Sequence, residues 1–250
     1  MRVALVGNSH LAAFKAAEVD VVAAHPGLQL WYLGLPNPIF FQSRKKAGAA
    51  LHLSQPPASN RAQLIVEDGP HPLVFADFDL VLLTSHGFYL RRVVEALAGV
   101  DILGHPRGDQ DGPLISLACA ADLAETSIRH YAKRLQHFMP AAENMAVIQA
   151  PYPAASAAPL DGGLAWLAAH PARERLFAAW RARLIATCGR RGLHLFEPPQ
   201  ALLAGPFQTD AKYARATTLQ DDAAGHLGNH LHMTPDYAAA VMADVLAALR

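Results

Sequence analysis

The sequence has few cysteines and no long hydrophobic run, and each shortage excludes a class of protein. Only two of the 250 residues are cysteine, Cys119 and Cys188, and neither lies in a Cys-x-x-Cys metal motif. Two cysteines cannot form the disulfide framework of a small secreted domain. No segment approaches the run of about 18 apolar residues that a membrane-spanning helix needs. The amino terminus also lacks the apolar stretch of a secretory signal, which predicts a cytoplasmic protein.

Charge is equally sparse. Charged residues make up 17% of the chain, and 21 basic residues balance 21 acidic ones. A net charge of zero provides no electrostatic footprint for nucleic acid or for an anionic membrane, so neither is an expected partner. What the chain does have is apolar material, because 52% of its residues are hydrophobic. This fraction is too high for a disordered chain and is sufficient for a substantial core.

Short aliphatic runs alternate with longer alanine-rich stretches, a pattern typical of a parallel sheet covered by helices on both faces. Helices are expected at 9–24, 88–97, 115–138 and 164–189, the last with a break at Pro171. A terminal helix is expected from Pro235 after an N-cap at Thr234. Residues 35–75 predict loops and short elements. The strands are expected at 3–6, 28–33, 64–66, 79–84, 145–149 and 193–196. There is no internal repeat and no long linker, which favours one domain over residues 1–250.

The first predicted strand is followed at once by Gly7-Asn8-Ser9-His10 and then by a helix. Ligands of open α/β sheets bind at the carboxyl ends of the strands, so Ser9 is expected to be exposed in such a crevice. Free backbone N–H groups and the helix dipole there favour the oxyanion that acyl transfer generates. A plain N-cap role for Ser9 is an equally good interpretation at this point.

A serine nucleophile needs a base, and the candidate lies at the other end of the chain. His232 stands on the segment that leads into the terminal helix, in the sequence His232-Met-Thr-Pro-Asp-Tyr. A histidine on a loop beside a helix start can project into a crevice. Ser9 and His232 are therefore predicted to meet across one cleft.

Together the two ends of the chain resemble the SGNH (GDSL-like) hydrolases. Gly7-Asn8-Ser9 resembles the family's first block, and His232 with the helix after it resembles the histidine end of its last block. The resemblance extends over the whole chain in order. It implies a three-layer αβα sandwich with a flavodoxin-like parallel sheet, in which Ser9 is the nucleophile and His232 the base. It also implies a serine ester hydrolase that needs no cofactor or metal.

The sequence departs from the family pattern in three blocks. Where the family has its acid, three residues before the histidine, this chain has Asn229. An amide can orient the imidazole but cannot stabilise the imidazolium by charge. Asp221 or Asp222 would supply that charge if either reaches the ring. No asparagine follows the middle strand, where Ser85-His86-Gly87 stands. The glycine block after the second strand is reduced to Gly34-Leu-Pro-Asn37. The candidate oxyanion donors are therefore Ser9, Gly34, Asn37, His86 and Gly87.

The expected substrate is a small-molecule or glycan ester. His10, beside the nucleophile, and His105 and Arg107, in the polar loop 104–113, are candidate substrate-binding residues, although a solvated surface loop explains the latter two as well. An O-acyltransferase and a binding protein with weakened catalysis are the alternatives. The sequence determines neither the acyl group nor the oligomeric state.

A metal site is the main competing hypothesis. Asp222, His226, His230 and His232 form an Asp/His cluster of a kind that suits zinc. A His-x-x-x-His pair needs a helix to bring both rings to one side, and Gly225 and Gly228 argue against a helix there. We therefore expect no metal at these residues.

Overall fold

The structure is a computed structural model, and it describes residues 1–34, 44–47, 50–53, 66–68, 73–84, 88–97, 100–105, 112–138, 143–157, 162–215 and 232–249. Its largest sheet has six strands. These are β1 (Arg2–Gly7), β2 (Gln29–Gly34), β5 (Val66–Asp68), β7 (Leu80–Thr84), β10 (Met145–Ile148) and β11 (His194–Phe196). Five of them are parallel, and β5 adds to the edge of β2 in the antiparallel sense.

The strand order identifies the fold class. Across the sheet the order is β11-β10-β7-β1-β2-β5, so the first strand lies between the second and third parallel strands. This is the flavodoxin-like order of a doubly wound α/β fold. The chain leaves β1 toward β2 on one side and later returns to β7 on the other side. The topological switch point therefore lies at the carboxyl ends of β1 and β7, where such folds bind their ligands.

Seven α-helices lie within the described residues. Helix α1 spans Leu11–Ala16, α2 Glu18–Ala24, α3 Arg91–Ala96, α4 Leu117–Phe138, α5 Gly162–Ala169, α6 Arg173–Arg190 and α7 Pro235–Ala248. The break at Pro171 and the terminal helix after Thr234 are as predicted, although the Thr234 side chain makes no capping hydrogen bond. The single helix expected over 9–24 is wrong in two respects. It begins at Leu11, and it is interrupted at Ala17.

The helices cover both faces of the sheet, which confirms the predicted three layers. Strand β1 shows why, because its side chains alternate between two cores. Val3 and Leu5 pack in the core that contains residues of α1, α2 and α7. Ala4 and Val6 pack in the core that contains residues of α3, α4, α5 and α6. All four side chains are almost completely buried, as expected for a central parallel strand.

Smaller elements surround the sheet. The short elements expected between 35 and 75 include β3 (Arg44–Ala47), β4 (Ala50–Leu53) and β6 (Leu73–Val74), which form a three-stranded antiparallel sheet. Of the strand expected at 64–66, Val66 is described and opens β5. Two further pairs are β8 (Asp101–Ile102) with β9 (Leu114–Ile115), and β12 (Leu203–Gly205) with β13 (Gln208–Thr209). Among the described helices, none combines the length and the apolar character needed to cross a bilayer.

Candidate active site

Ser9 lies in a tight turn between β1 and α1, at the switch point of the sheet. The turn closes when the Leu11 N–H donates to the Asn8 carbonyl at 3.0 Å, and the Ala12 N–H to the Ser9 carbonyl at 3.2 Å. The N-cap of α1 is His10, so the interpretation of Ser9 as a plain N-cap is wrong. Ser9 is exposed. Its own backbone N–H has no acceptor among the described residues, as an oxyanion-hole donor requires.

The side chain of Asn8 stabilises this turn through hydrogen bonds. Its side chain is 3% exposed, its Oδ1 accepts the His10 N–H at 3.1 Å, and its Nδ2 donates to the Tyr89 hydroxyl at 2.7 Å. Tyr89 follows β7, so the second hydrogen bond links the loops of the two strands that border the switch point. Two hydrogen bonds made by one buried amide restrict the backbone that presents Ser9.

His232 is held by a short antiparallel pairing. The Arg215 N–H donates to the His232 carbonyl at 3.0 Å, and the Thr234 N–H donates to the Tyr213 carbonyl at 2.8 Å. Between them Met233 bridges Ala214 and is 5% exposed, in the same core as α1 and α7. Since side chains alternate along extended backbone, burying Met233 turns His232 away from the core.

The hydroxyl and the imidazole meet as predicted. The Nε2 of His232 lies 2.8 Å from the Oγ of Ser9, across 223 residues of chain, and the pair is exposed. This distance is within direct proton-transfer range. The ring of His10 lies beside the pair, with its centroid 5.1 Å from that of His232 and 5.9 Å from that of Tyr89. His10 is buried, at 8% exposure.

A cavity of about 370 Å³ opens beside this pair. One wall is Ser9, His10 and the alanine face of α1. The other wall is formed by residues 232–235 and by Arg215. The alanines are Ala12, Ala13 and Ala16. A small apolar face next to a hydroxyl–imidazole pair can accommodate a compact organic group while the polar pair acts on it.

The candidate oxyanion residues are only partly described. Gly34 ends β2 and pairs with Gly7 of β1, directly beneath the Ser9 turn. A Cβ on Gly34 would lie 2.8 Å from the Cδ1 of Leu11 and 3.7 Å from the Asn8 carbonyl oxygen, so the end of β2 packs against the turn and α1. Asn37, His86 and Gly87 lie outside the described residues, so their proposed roles stay predictions.

Three of the remaining candidate residues, Asn229, Asp222 and Arg107, lie outside the described residues. His105 is half-buried in the turn after β8, where its N–H donates to the Ile102 carbonyl at 2.9 Å, and it does not line the cavity beside Ser9. Within the described ranges no three metal-ligating side chains come together. His226 and His230 of the alternative metal cluster lie outside those ranges.

Two residues of the site were not predicted from the sequence, Tyr89 and Arg215. Tyr89 follows the strand next to β1, so it belongs to the loops that meet at the switch point, and that position is its only sequence signal. Arg215 has no sequence signal, because its partner in the pairing, His232, is 17 positions away and no local motif marks the contact. Long-range pairing of irregular backbone leaves no periodicity to detect.

Replacing Tyr89 by phenylalanine tests whether the Asn8 network supports the site. The change removes the acceptor of the Asn8 amide but keeps the ring beside His10. We expect the free energy of unfolding to fall by about 1 kcal/mol, the usual net value of one such hydrogen bond. Urea denaturation measures it. Unchanged stability would show that Asn8 does not depend on Tyr89.

No family model and no curated protein matches the sequence of this chain. Among solved structures, an extracellular lipase from Streptomyces rimosus aligns over 100% of both chains, at 12% identity and a TM-score of 0.46. A structural-genomics protein from Lactobacillus plantarum aligns over 99% of this chain and 96% of its own, at 14% identity and a TM-score of 0.36. The fold class rests on the strand order, and the chemistry on the residues of the site.

Proposed function

We propose that this protein is a serine ester hydrolase in which Ser9 is the nucleophile and His232 the general base. The observation that carries the proposal is the 2.8 Å contact between Ser9 Oγ and His232 Nε2, exposed beside a cavity. A serine hydroxyl is a weak nucleophile unless a base takes its proton. A histidine at this distance supplies that base near neutral pH.

The reaction takes place in two halves. His232 Nε2 accepts the proton of the Ser9 hydroxyl as Oγ attacks the ester carbonyl carbon, giving a tetrahedral intermediate with a negative oxygen. Collapse of the intermediate breaks the bond to the leaving alkoxide, which takes the proton from His232. Water then attacks the acyl-enzyme and gives a proton to His232. The acid product leaves as that proton returns to Ser9 Oγ.

The oxyanion needs donors, and the Ser9 N–H is the first candidate because no described residue accepts its hydrogen bond. We propose Gly34 as a second donor on the strength of its position beneath the turn. Asn37, His86 and Gly87 are further candidates. Asn229 or Asp222 would orient the imidazole from the other side, and the charge of Asp222 would also stabilise the imidazolium.

The order of the features along the chain supports membership of the SGNH hydrolases as one domain. The nucleophile follows the first strand of a flavodoxin-like sheet, and the base precedes the last helix. The substrate would be a small-molecule or glycan ester. The proposed chemistry uses only side-chain and backbone groups of this chain, so the proposal includes no cofactor.

Hydrolysis of p-nitrophenyl acetate tests the proposal. We expect the wild-type protein to release p-nitrophenol and Ser9→Ala to fall to the uncatalysed rate, because the acyl group then has no acceptor. Ser156→Ala is the matched control, since Ser156 is exposed and does not line this cavity. Equal rates for wild type and Ser9→Ala would contradict the proposal.

The same assay with added methanol separates hydrolysis from transfer. A hydrolase passes the acetyl group chiefly to water, whereas an acyltransferase passes it chiefly to an acceptor alcohol. We expect acetate as the main product. Methyl acetate as the main product would identify the transferase alternative with the same acyl-enzyme.

A further inference from the structure

Arg215 is the one charged side chain among the described residues that line the cavity beside Ser9. Its position follows from the antiparallel pairing of 213–215 with 232–234. Because Ala214 is the bridge partner of Met233, Arg215 lies directly opposite His232. Directly opposed residues of an antiparallel pair project to the same face, about 5 Å apart at Cβ. Arg215 therefore shares with His232 the face that borders the cavity.

Among the described residues, little around Arg215 could neutralise its charge. The opposite wall of the cavity is the alanine face of α1, and no carboxylate of the described chain is within ion-pair distance of Arg215. Several other arginines of the described chain do have such a carboxylate partner. Arg181 forms two hydrogen bonds with Glu197, and Arg183 pairs with Asp122 and Glu125. A guanidinium at a cavity mouth that has no such partner among the described residues favours an anionic ligand.

The geometry also indicates which part of a substrate this cation meets. During acylation His232 must deliver a proton to the leaving oxygen, so the leaving alcohol lies on the His232 side of the cavity. Arg215 belongs to that side, since its backbone N–H donates a hydrogen bond to the His232 carbonyl. The acyl group is then left to the region nearer the Ser9 turn.

From this arrangement we infer that the substrate is an ester whose leaving alcohol carries a carboxylate or phosphate, bound by Arg215. The inference rests on the proposed ester hydrolysis and narrows its substrate class. A guanidinium can bind either anion through two parallel hydrogen bonds, which fix the leaving group as well as attract it. Arg215 is thus a specificity residue and takes no part in proton transfer.

Three acetate esters that differ only in the para substituent of the phenol test the inference. They are para-acetoxybenzoate, para-acetoxyphenyl phosphate and the neutral para-acetoxybenzamide. Each kcat/KM is divided by the ester's own hydroxide-catalysed rate, which removes differences in leaving-group reactivity. We expect the wild-type protein to prefer at least one anionic ester over the amide by about tenfold, in line with a charge-assisted hydrogen bond in a partly hydrated site. The preferred ester identifies the anion.

The variant Arg215→Gln should reduce this preference to about one, because glutamine keeps much of the length and loses the charge. Arg175→Gln is the matched control, since Arg175 is exposed on α6, does not line the cavity and undergoes the same charge change. It should keep the wild-type preference. The preference should also shrink as salt is raised, since Arg215 is exposed to solvent.

Two results would overturn the inference while leaving ester hydrolysis in place. One is measurable hydrolysis of the neutral ester with no anionic preference in the wild-type protein. The other is an equal loss on all three esters in Arg215→Gln, which would indicate a structural role. Hydrolysis of none of the esters, with no loss of p-nitrophenyl acetate activity in Ser9→Ala, would contradict the proposed function and the inference with it.

Discussion

Replacing His232 by alanine is expected to lower kcat/KM for p-nitrophenyl acetate by about 10³-fold or more. The imidazole acts twice, as the base for Ser9 and as the acid for the leaving alkoxide, and general acid–base catalysis contributes roughly 10²- to 10⁴-fold. The 2.8 Å contact means that no conformational change is needed before the first proton transfer. Steady-state kinetics on purified protein, with folding checked by circular dichroism, measures the effect.

The double variant Ser9→Ala with His232→Ala makes the test sharper. Residues that act as one unit are strongly non-additive, so the double variant should be no slower than the slower single variant. His130→Ala is the control, since His130 is exposed on α4. If His232→Ala retains most of the activity, or if the two losses multiply, the two residues do not form one catalytic unit.

Replacing Gly7 by alanine is expected to destabilise the fold by about 1–3 kcal/mol, the usual cost of overpacking a core. Gly7 is the last residue of β1. A Cβ placed on it would lie 1.9 Å from the Oγ1 of Thr84 and 3.1 Å from the Thr84 carbonyl oxygen. Thr84 is fully buried at the end of β7, so its side chain cannot swing out into solvent. Thermal or urea unfolding measures the loss.

Removing the obstacle should return part of the stability. Thr84→Ala deletes the Oγ1 that the new Cβ would meet, so the double variant Gly7→Ala with Thr84→Ala should be less destabilised than the sum of the two single variants. Gly189→Ala serves as the opposite control. A Cβ there meets nothing within 4 Å, and Gly189 lies in helix α6, so a gain of roughly 0.5–1 kcal/mol is expected. Strict additivity at Gly7 and Thr84 would contradict the packing account.

Gly7 also explains why the switch point and the site are linked. The close approach of β1 and β7 at Gly7 and Thr84 brings together the two loops that carry Asn8 and Tyr89. Widening the separation of β1 and β7 would displace the turn that carries Ser9, two residues after Gly7. Loss of stability and loss of activity in Gly7→Ala are therefore expected to occur together.

Much of this arrangement could be predicted from local sequence. The aliphatic runs of β1, β7 and β10 are short, apolar and flanked by turns, so their positions followed from pattern alone. The burial of β1 on both faces followed from its continuous apolar run. The pairing of Ser9 with His232 was predicted from the motifs at the two ends of the chain. The strand order then confirmed the fold class.

The features that were missed depend on contacts distant in sequence. The helix is interrupted at Ala17 without a glycine or proline there, and the helical spacing of the apolar residues continues across the interruption. The pairing that orients His232 joins two irregular segments, so Arg215 could not be recognised as part of the site. Tyr213 contacts the ring of Tyr237 on α7, and burial raises the pKa of the Tyr237 phenol, which stays neutral as a packing residue.

Covalent labelling with a serine-directed fluorophosphonate, followed by peptide mapping, tests directly whether Ser9 is the nucleophile and His232 its base. We expect one modified residue, Ser9, with labelling abolished in Ser9→Ala, strongly slowed in His232→Ala and normal in Ser156→Ala. Failure of the wild-type protein to react would show that Ser9 and His232 do not act as nucleophile and base. Modification of a different serine, at a rate equal in the wild-type protein and in His232→Ala, would show the same.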